Sequence, residues 1–314
     1  MSEIFLSGFG AVSPGGWGIE PLLGALNAAW PAAQTLERPG WTRPLAVRRV
    51  PAPNPRPAWA AHARMRRAAG ISQFALGAAN EALAGHAGGT LGVVFCTTCG
   101  CVNYSRRFYD EVLREPATAS PLLFPETVFN APASHLSAVL GMPAINYTLV
   151  GDTGVFLHGL ALAAGWLEAG RVENCLVVAA EEVDWITADA LRHFRKSAQL
   201  GEGAGAVLLT RRRTAGTRAT LECVTEPERF GARGGREARA AAVRRATAAL
   251  PANSAATIDG DAFGEAFSVG AAWRVIAAVC AARAESQSRA IVLVPGAYQE
   301  AMGASFNLVS AANL

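Results

Sequence analysis

The sequence predicts an α/β fold with helices packed on sheets, and three observations carry that prediction. Apolar runs rich in Val, Ile and Leu alternate with Ala-rich runs of helical period. The helical runs stop at glycines, as C-terminal helix ends do. No Pro/Gly/Ser-rich stretch is long enough to separate independent domains, so residues 1–314 read as one unit. A chain of 314 residues that is 51% hydrophobic and 17% charged has ample material for a large buried core.

The elements follow in order. Ile4–Leu6 reads as a strand, and Ser72–Leu83 as a helix, with Phe74, Leu76, Ala79 and Leu83 recurring on one face and a stop near Gly85. Leu91–Phe95 is a second strand. Residues Asn130–Leu140 are helical and end at Gly141-Met-Pro143. Ala144–Val150 is strand-like, Val155–Ala169 is a helix closed by Gly170, and Cys175–Ala180 is a strand buried on both faces. Leu200–Thr210 reads as a turn entering another strand. Beyond Arg218 the pattern is looser: strands at Thr220–Thr225, Ala255–Ile258, Ala290–Pro295 and Phe306–Ser310, and helices at Arg236–Ala249 and Ala271–Arg283.

Composition excludes several function classes. Glu3 stands where an export signal carries lysine or arginine, and the first apolar run is too short for such a signal. The apolar stretches Val155–Leu167 and Ala271–Ala282 fall below bilayer-spanning length, so no membrane segment is expected. Six cysteines in a chain this long suit a reducing cytoplasm, with Cys175 and Cys280 acting as small hydrophobes. Cys96, Cys99 and Cys101 have no fourth ligand nearby to close a tetrahedral metal site, and a strand end entering a tight loop is the better reading; no metal or cofactor is expected. The charge of +3 is modest, and the arginines at 64, 66 and 67, at 211–213, and from 229 to 245 lack interleaved aromatics. Nucleic acid is therefore not an expected partner, whereas a local acidic surface is compatible with these clusters.

Several segments, in the right order, resemble the β-ketoacyl synthases of fatty acid and polyketide biosynthesis. They are Gly8-Phe-Gly-Ala-Val-Ser-Pro14, Arg66-Arg67 followed by Ser72-Gln-Phe-Ala-Leu-Gly-Ala-Ala79, Phe129-Asn-Ala-Pro-Ala-Ser-His-Leu136, Val177-Val-Ala-Ala-Glu-Glu182 and Gly201-Glu-Gly-Ala-Gly-Ala-Val207. The resemblance implies a thiolase-like fold: two pseudo-symmetric βαβ halves, residues 1–210 and a shortened 211–314, forming a layered α-β-α-β-α core.

Family chemistry, as the resemblance implies it, needs a cysteine on a strand-to-helix turn, two histidines in the second half and a lysine. The turn here is Val150-Gly151-Asp152-Thr153-Gly154 and holds no thiol. Counting from Gly141-Met-Pro143 puts Gly151 at the cysteine position, while counting back from Ala169-Gly170 puts Thr153 there. The five histidines are His62, His86, His135, His158 and His193, so none lies in the C-terminal third. Gly264-Glu265 stands where one family histidine is expected, and Asp259-Gly260-Asp261 falls near the other. The family's Phe-containing gating loop has no counterpart in Gly303-Ala-Ser-Phe-Asn307, and its missing loops fall chiefly between Glu182 and Gly201 and between Thr210 and Ala271.

Asp152 and Thr153 are the candidate site residues. They read first as an N-cap of the following apolar helix. A catalytic version would make one of them an acyl acceptor, with His158 as base or Glu265 in place of a histidine. Glu181, Glu182 and Glu202 read as hydrogen-bond partners of glycine-rich turns. The resulting expectation is a non-catalytic, chain length factor-like subunit that pairs as a heterodimer with an active ketosynthase and meets an acyl carrier protein, in type II fatty acid or polyketide biosynthesis, aryl polyenes included. The alternatives are a condensing enzyme with an unusual nucleophile, Asp152, Thr153 or Cys99, and a homodimeric acyl-binding protein.

Overall fold

Strands buried on both faces occupy the middle of the structure because their sequences are apolar at every position. In the computed structural model, which describes residues 3–309 apart from 87, 142–143, 196–197, 232–234 and 252–262, β5 (Leu91–Thr97), β7 (Asn174–Glu181) and β9 (Gly203–Thr210) are buried along their whole lengths. Helices must cover both faces of such strands. Around them the first half adds β1 (Phe5–Ser13), β2 (Gly16–Trp17), α1 (Ile19–Asn27), α2 (Gly70–Ala82), α3 (Val102–Arg114), α4 (Ala131–Leu140), β6 (Ala144–Val150), α5 (Val155–Glu168) and α6 (Trp185–Phe194). The short strands β3 (Gln34–Leu36), β4 (Leu45–Arg48) and β8 (Leu200–Gly201) make a separate small sheet. The second half supplies β10 (Ala219–Val224), β11 (Glu228–Arg229), α7 (Gly235–Ala248), α8 (Phe267–Ala284), β12 (Arg289–Val294) and β13 (Glu300–Leu308).

The main sheet runs β11-β13-β10-β1-β9-β7-β5-β6, with β12 also on β13 and β2 on β1. Strands β5, β6 and β7 are mutually parallel, and β9 is antiparallel to both β7 and β1. The two predicted halves meet in one continuous sheet, joined where Phe5 pairs with Thr220 and Leu6 with Ala219. Helices α2 and α4 cover the outer face of the first half. Helices α5 and α8 lie between the two halves, burying Phe156, Leu160, Trp273 and Ile276 against both, and α7 covers β13 from outside. The layers are thus α-β-α-β-α, as expected.

Some element bounds differ from the sequence reading. Helix α8 starts at Phe267, ahead of the predicted Ala271, and reaches 18 residues, long and apolar enough to cross a membrane. It sits between the two halves with 14 of those residues buried, which its Ala- and Val-rich surface permits on every side. Strand β13 starts at Glu300, ahead of the predicted Phe306. Helices α1, α3 and α6 are additions to the predicted elements: Ile19, Leu22, Leu23 and Leu26 of α1 recur at helical spacing, and α6 carries an Asp184–Thr187 capping box. The predicted strand Ala255–Ile258 and Asp259-Gly260-Asp261 lie outside the described residues.

Candidate functional site

Parallel strands direct their carboxyl ends to one place, and ligand sites of α/β sheets gather there. Thr97 of β5 pairs with Val150 of β6, and β7 ends beside them at Glu181. Gly151 N–H then donates to Thr97 O at 3.2 Å, fixing the start of the turn against β5. Residues 151–154 lead into α5, and two further segments close over them: the N-terminus of α8 and the loop 296–300 before β13.

Asp152 does not act as the predicted cap. Helix α5 begins after Gly154 with no side-chain cap, and the Asp152 carboxylate, only 2% exposed, points to the C-terminal loop instead. Its Oδ1 accepts from Thr153 N–H and Ala297 N–H, each at 2.8 Å, and its Oδ2 accepts from Gln299 N–H at 2.8 Å and from Tyr298 and Glu300 N–H at 3.2 Å. Gly296 makes this close approach possible, since its φ is +54° and a Cβ there would meet Asp152 Oδ2 at 2.7 Å.

Thr153 is buried, its hydroxyl 3.5 Å from Asp152 Oδ1. Neither candidate base is placed to activate it. His158 Nε2 pairs with Glu300 Oε1 at 2.9 Å, and Glu265 is ion-paired to Arg195 while accepting from Phe267 N–H at 2.9 Å. Thr153, Arg195, Glu265 and Arg274 instead line a polar cavity of about 90 Å³.

Glu181 organises the neighbouring loop. Fully buried at the end of β7, it accepts from the N–H groups of Thr98 and Cys99, from Thr97 Oγ1 at 3.2 Å and from Ser268 Oγ at 2.6 Å. Burial pushes its carboxyl up to about 7, against the opposing pull of those donors. Glu202 accepts from Val50 and Val183 N–H, each at 3.0 Å, and burial lifts it to about 7 as well. Glu182 accepts from Ile71 N–H at 3.0 Å. All three are backbone acceptors, though the N–H donors are Val50, Ile71, Thr98, Cys99 and Val183, where glycine-rich turns were expected.

Cys99 lines a larger, mostly apolar cavity of about 440 Å³ together with Phe129, Ile186, Leu191, Phe267 and Tyr298. Burial, with Glu181 and Glu265 nearby, pushes the Cys99 thiol well above its usual range, so it is protonated and a poor nucleophile at neutral pH. Cys96 and Cys101 are buried in different core clusters, and among the described residues no three His, Cys, Asp or Glu side chains converge as a metal site. The loop 296–300 escaped the sequence reading, because backbone N–H donors leave no side-chain signature.

A sequence model of the 3-oxoacyl-[acyl-carrier-protein (ACP)] synthase III family matches residues 153–226. No curated protein matches the sequence. Among solved structures, the ishigamide ketosynthase/chain length factor superposes with a TM-score of 0.80 at 20% identity, over 98% of this chain and 100% of that one. A β-ketoacyl synthase from Burkholderia phymatum STM815 gives 0.78 at 15%, over 99% and 100%. AntDE:AntF, a type II PKS acyl-carrier protein in complex with its ketosynthase bound to the hexaketide, gives 0.76 at 14%, over 98% and 99%. The chain has the thiolase-like fold of the β-ketoacyl synthases.

Proposed function

We propose that this chain is a non-catalytic, chain length factor-like subunit that pairs with an active β-ketoacyl synthase in type II fatty acid or polyketide biosynthesis. The observation that carries the pairing is the free edge of β6. This strand ends the sheet, bonded to β5 on one side only, and Ile145, Tyr147 and Val150 are 42%, 54% and 52% exposed. An open strand edge with apolar side chains is a template for another chain. Tyr109 and Leu113 of α3, and Phe124 of the segment packed on α3, are further exposed apolar residues.

The non-catalytic part rests on the turn. Asp152 and Thr153 stand at or beside the expected place of the family's nucleophile; the only carboxylate bonded to the Thr153 hydroxyl among the described residues is Asp152, itself held by five N–H groups, while His158 and Glu265 are paired elsewhere. We read both residues as architecture. An acyl carrier protein, acidic in this family, fits the exposed guanidinium groups of Arg64, Arg66 and Arg67. A heterodimer in a reducing cytoplasm suits the six free cysteines.

A second reading draws on the 440 Å³ apolar cavity: a homodimer that holds an acyl chain without a synthase partner. Co-expression with the active ketosynthase encoded nearest to this chain separates the two. A stable 1:1 complex is expected; recovery of this chain alone as a dimer, with the ketosynthase unbound, sinks the pairing.

A further inference from the structure

Four successive backbone N–H groups, from Ala297 to Glu300, turn toward a single point, and a fifth arrives from Thr153 on a segment more than 140 residues away. Successive N–H groups curled in this way form an anion-binding nest. The arrangement here is complete and occupied: both oxygens of one carboxylate take all five donors, at 2.8 to 3.2 Å, out of contact with solvent. The pair meeting at Oδ1 has a further character. Thr153 N–H comes from the strand-to-helix turn and Ala297 N–H from the opposing loop, the two-sided geometry that stabilises negative charge on an acyl oxygen.

We propose that loop 296–300 and Thr153 N–H form a preformed carboxylate site whose resident ligand is the chain's own Asp152, and that this tethered anion closes the turn to any external acyl oxygen. The site is rigid because the loop has independent supports. Gly296 bends it at φ +54°, Arg239 Nε donates to Pro295 O and Gly296 O at 2.9 Å, and Glu300 opens β13 and pairs with His158. Emptying the nest therefore leaves donors already aimed at a vacant, buried point, which selects a small monocarboxylate over a bulky or spherical anion. Pairing with a ketosynthase plays no part in this argument, so its failure leaves the nest untouched, and the reverse holds too.

Asp152→Ala provides the vacancy, and acetate is the probe. Hydrogen exchange at Ala297–Glu300 should be slow in the wild type, faster by at least about tenfold in D152A, and slowed again by sodium acetate but not by sodium chloride of equal ionic strength. The Tm of D152A should rise by a few degrees as acetate increases from about 1 mM to about 100 mM, while that of the wild type stays level. Benzoate, too large for the vacated volume, should give no rescue. Should D152A fail to fold without acetate, its recovery by refolding in acetate is the supporting result. Asp152→Asn keeps the shape but turns an N–H₂ toward part of the nest, so exchange should accelerate at the loop amides that face it, Ala297 in one orientation or Tyr298–Glu300 in the other. The proposal is overturned if D152N leaves that exchange unchanged, or if acetate and chloride act alike on D152A.

Discussion

At the C-terminal end of β6 the chain buries carboxylates, whereas along the free edge of the same strand it exposes an isoleucine, a tyrosine and a valine. The usual distribution is the reverse. In the interior, Asp152, Glu181 and Glu202 each accept backbone N–H groups from segments far away in sequence, so buried carboxylates join loops here. On the edge, side chains that would ordinarily be buried stay about half exposed, Tyr147 meeting Trp166 edge-on at 6.4 Å between ring centres. The difference teaches that buried polar groups here are satisfied within the chain, while the apolar edge of β6 is the surface on which the proposed pairing rests.

The sharpest way to break this contrast is Glu181→Ala. It strands the Thr98 and Cys99 N–H groups and the Ser268 hydroxyl in a buried site, and should cost on the order of 3–5 kcal/mol by denaturant unfolding. A loss near zero would mean that the carboxylate is not an organiser.

Acidity tests the same interior next. The carboxyls of Glu181 and Glu202 are raised to about 7 in the folded chain against about 4.5 unfolded. The folded state therefore binds more protons between those values, and stability from these groups is greatest below about pH 4.5 and lost as pH rises through 7. Each contributes at most on the order of 3 kcal/mol to that slope. Unfolding followed from pH 5 to pH 8 should show the decline, and Glu202→Gln should flatten it.

The edge is addressed by Ile145→Asp combined with Tyr147→Asp. Both positions are exposed, so the fold should lose no more than about 1 kcal/mol in total. The amount of ketosynthase recovered with this chain should nevertheless fall at least about tenfold, since buried unpaired charge opposes association. Unchanged recovery would move the pairing surface elsewhere. The smallest effect belongs to Thr153→Ala: under about 1 kcal/mol of stability, and no change in product formed by the reconstituted pair. Loss of product would restore Thr153 as a nucleophile.

Much of the first half was legible in sequence because its strands are apolar throughout and its helices end at glycines. Strand β7 and helix α5 fall within a residue or two of their predicted bounds. Helix α3 was missed: Tyr104, Phe108 and Val112 recur at helical spacing on its half-buried face, but Tyr109 and Leu113 face outward and Arg106-Arg107 interrupts the apolar run. The early start of β13 was hidden by Gly303, which reads as a loop residue but lies where a Cβ would meet Leu250 Cδ1 at 2.7 Å. The turn at Asp152 was found by resemblance, and its capping role was the natural local inference. What overrode it is a non-local fact, a loop some 145 residues away whose amides carry no trace in the side-chain sequence.

Strand β1 has a temporal consequence. Its ladder partner β9 ends at Thr210, and the bond between the halves requires Ala219 and Thr220. At about 5–20 residues per second, a ribosome needs roughly 10–40 s to supply those partners after the first strand emerges. Throughout that interval Ile4, Leu6 and Phe9 lack the ladder partners that bury them, so β1 waits on most of the chain before it becomes the seam of the fold.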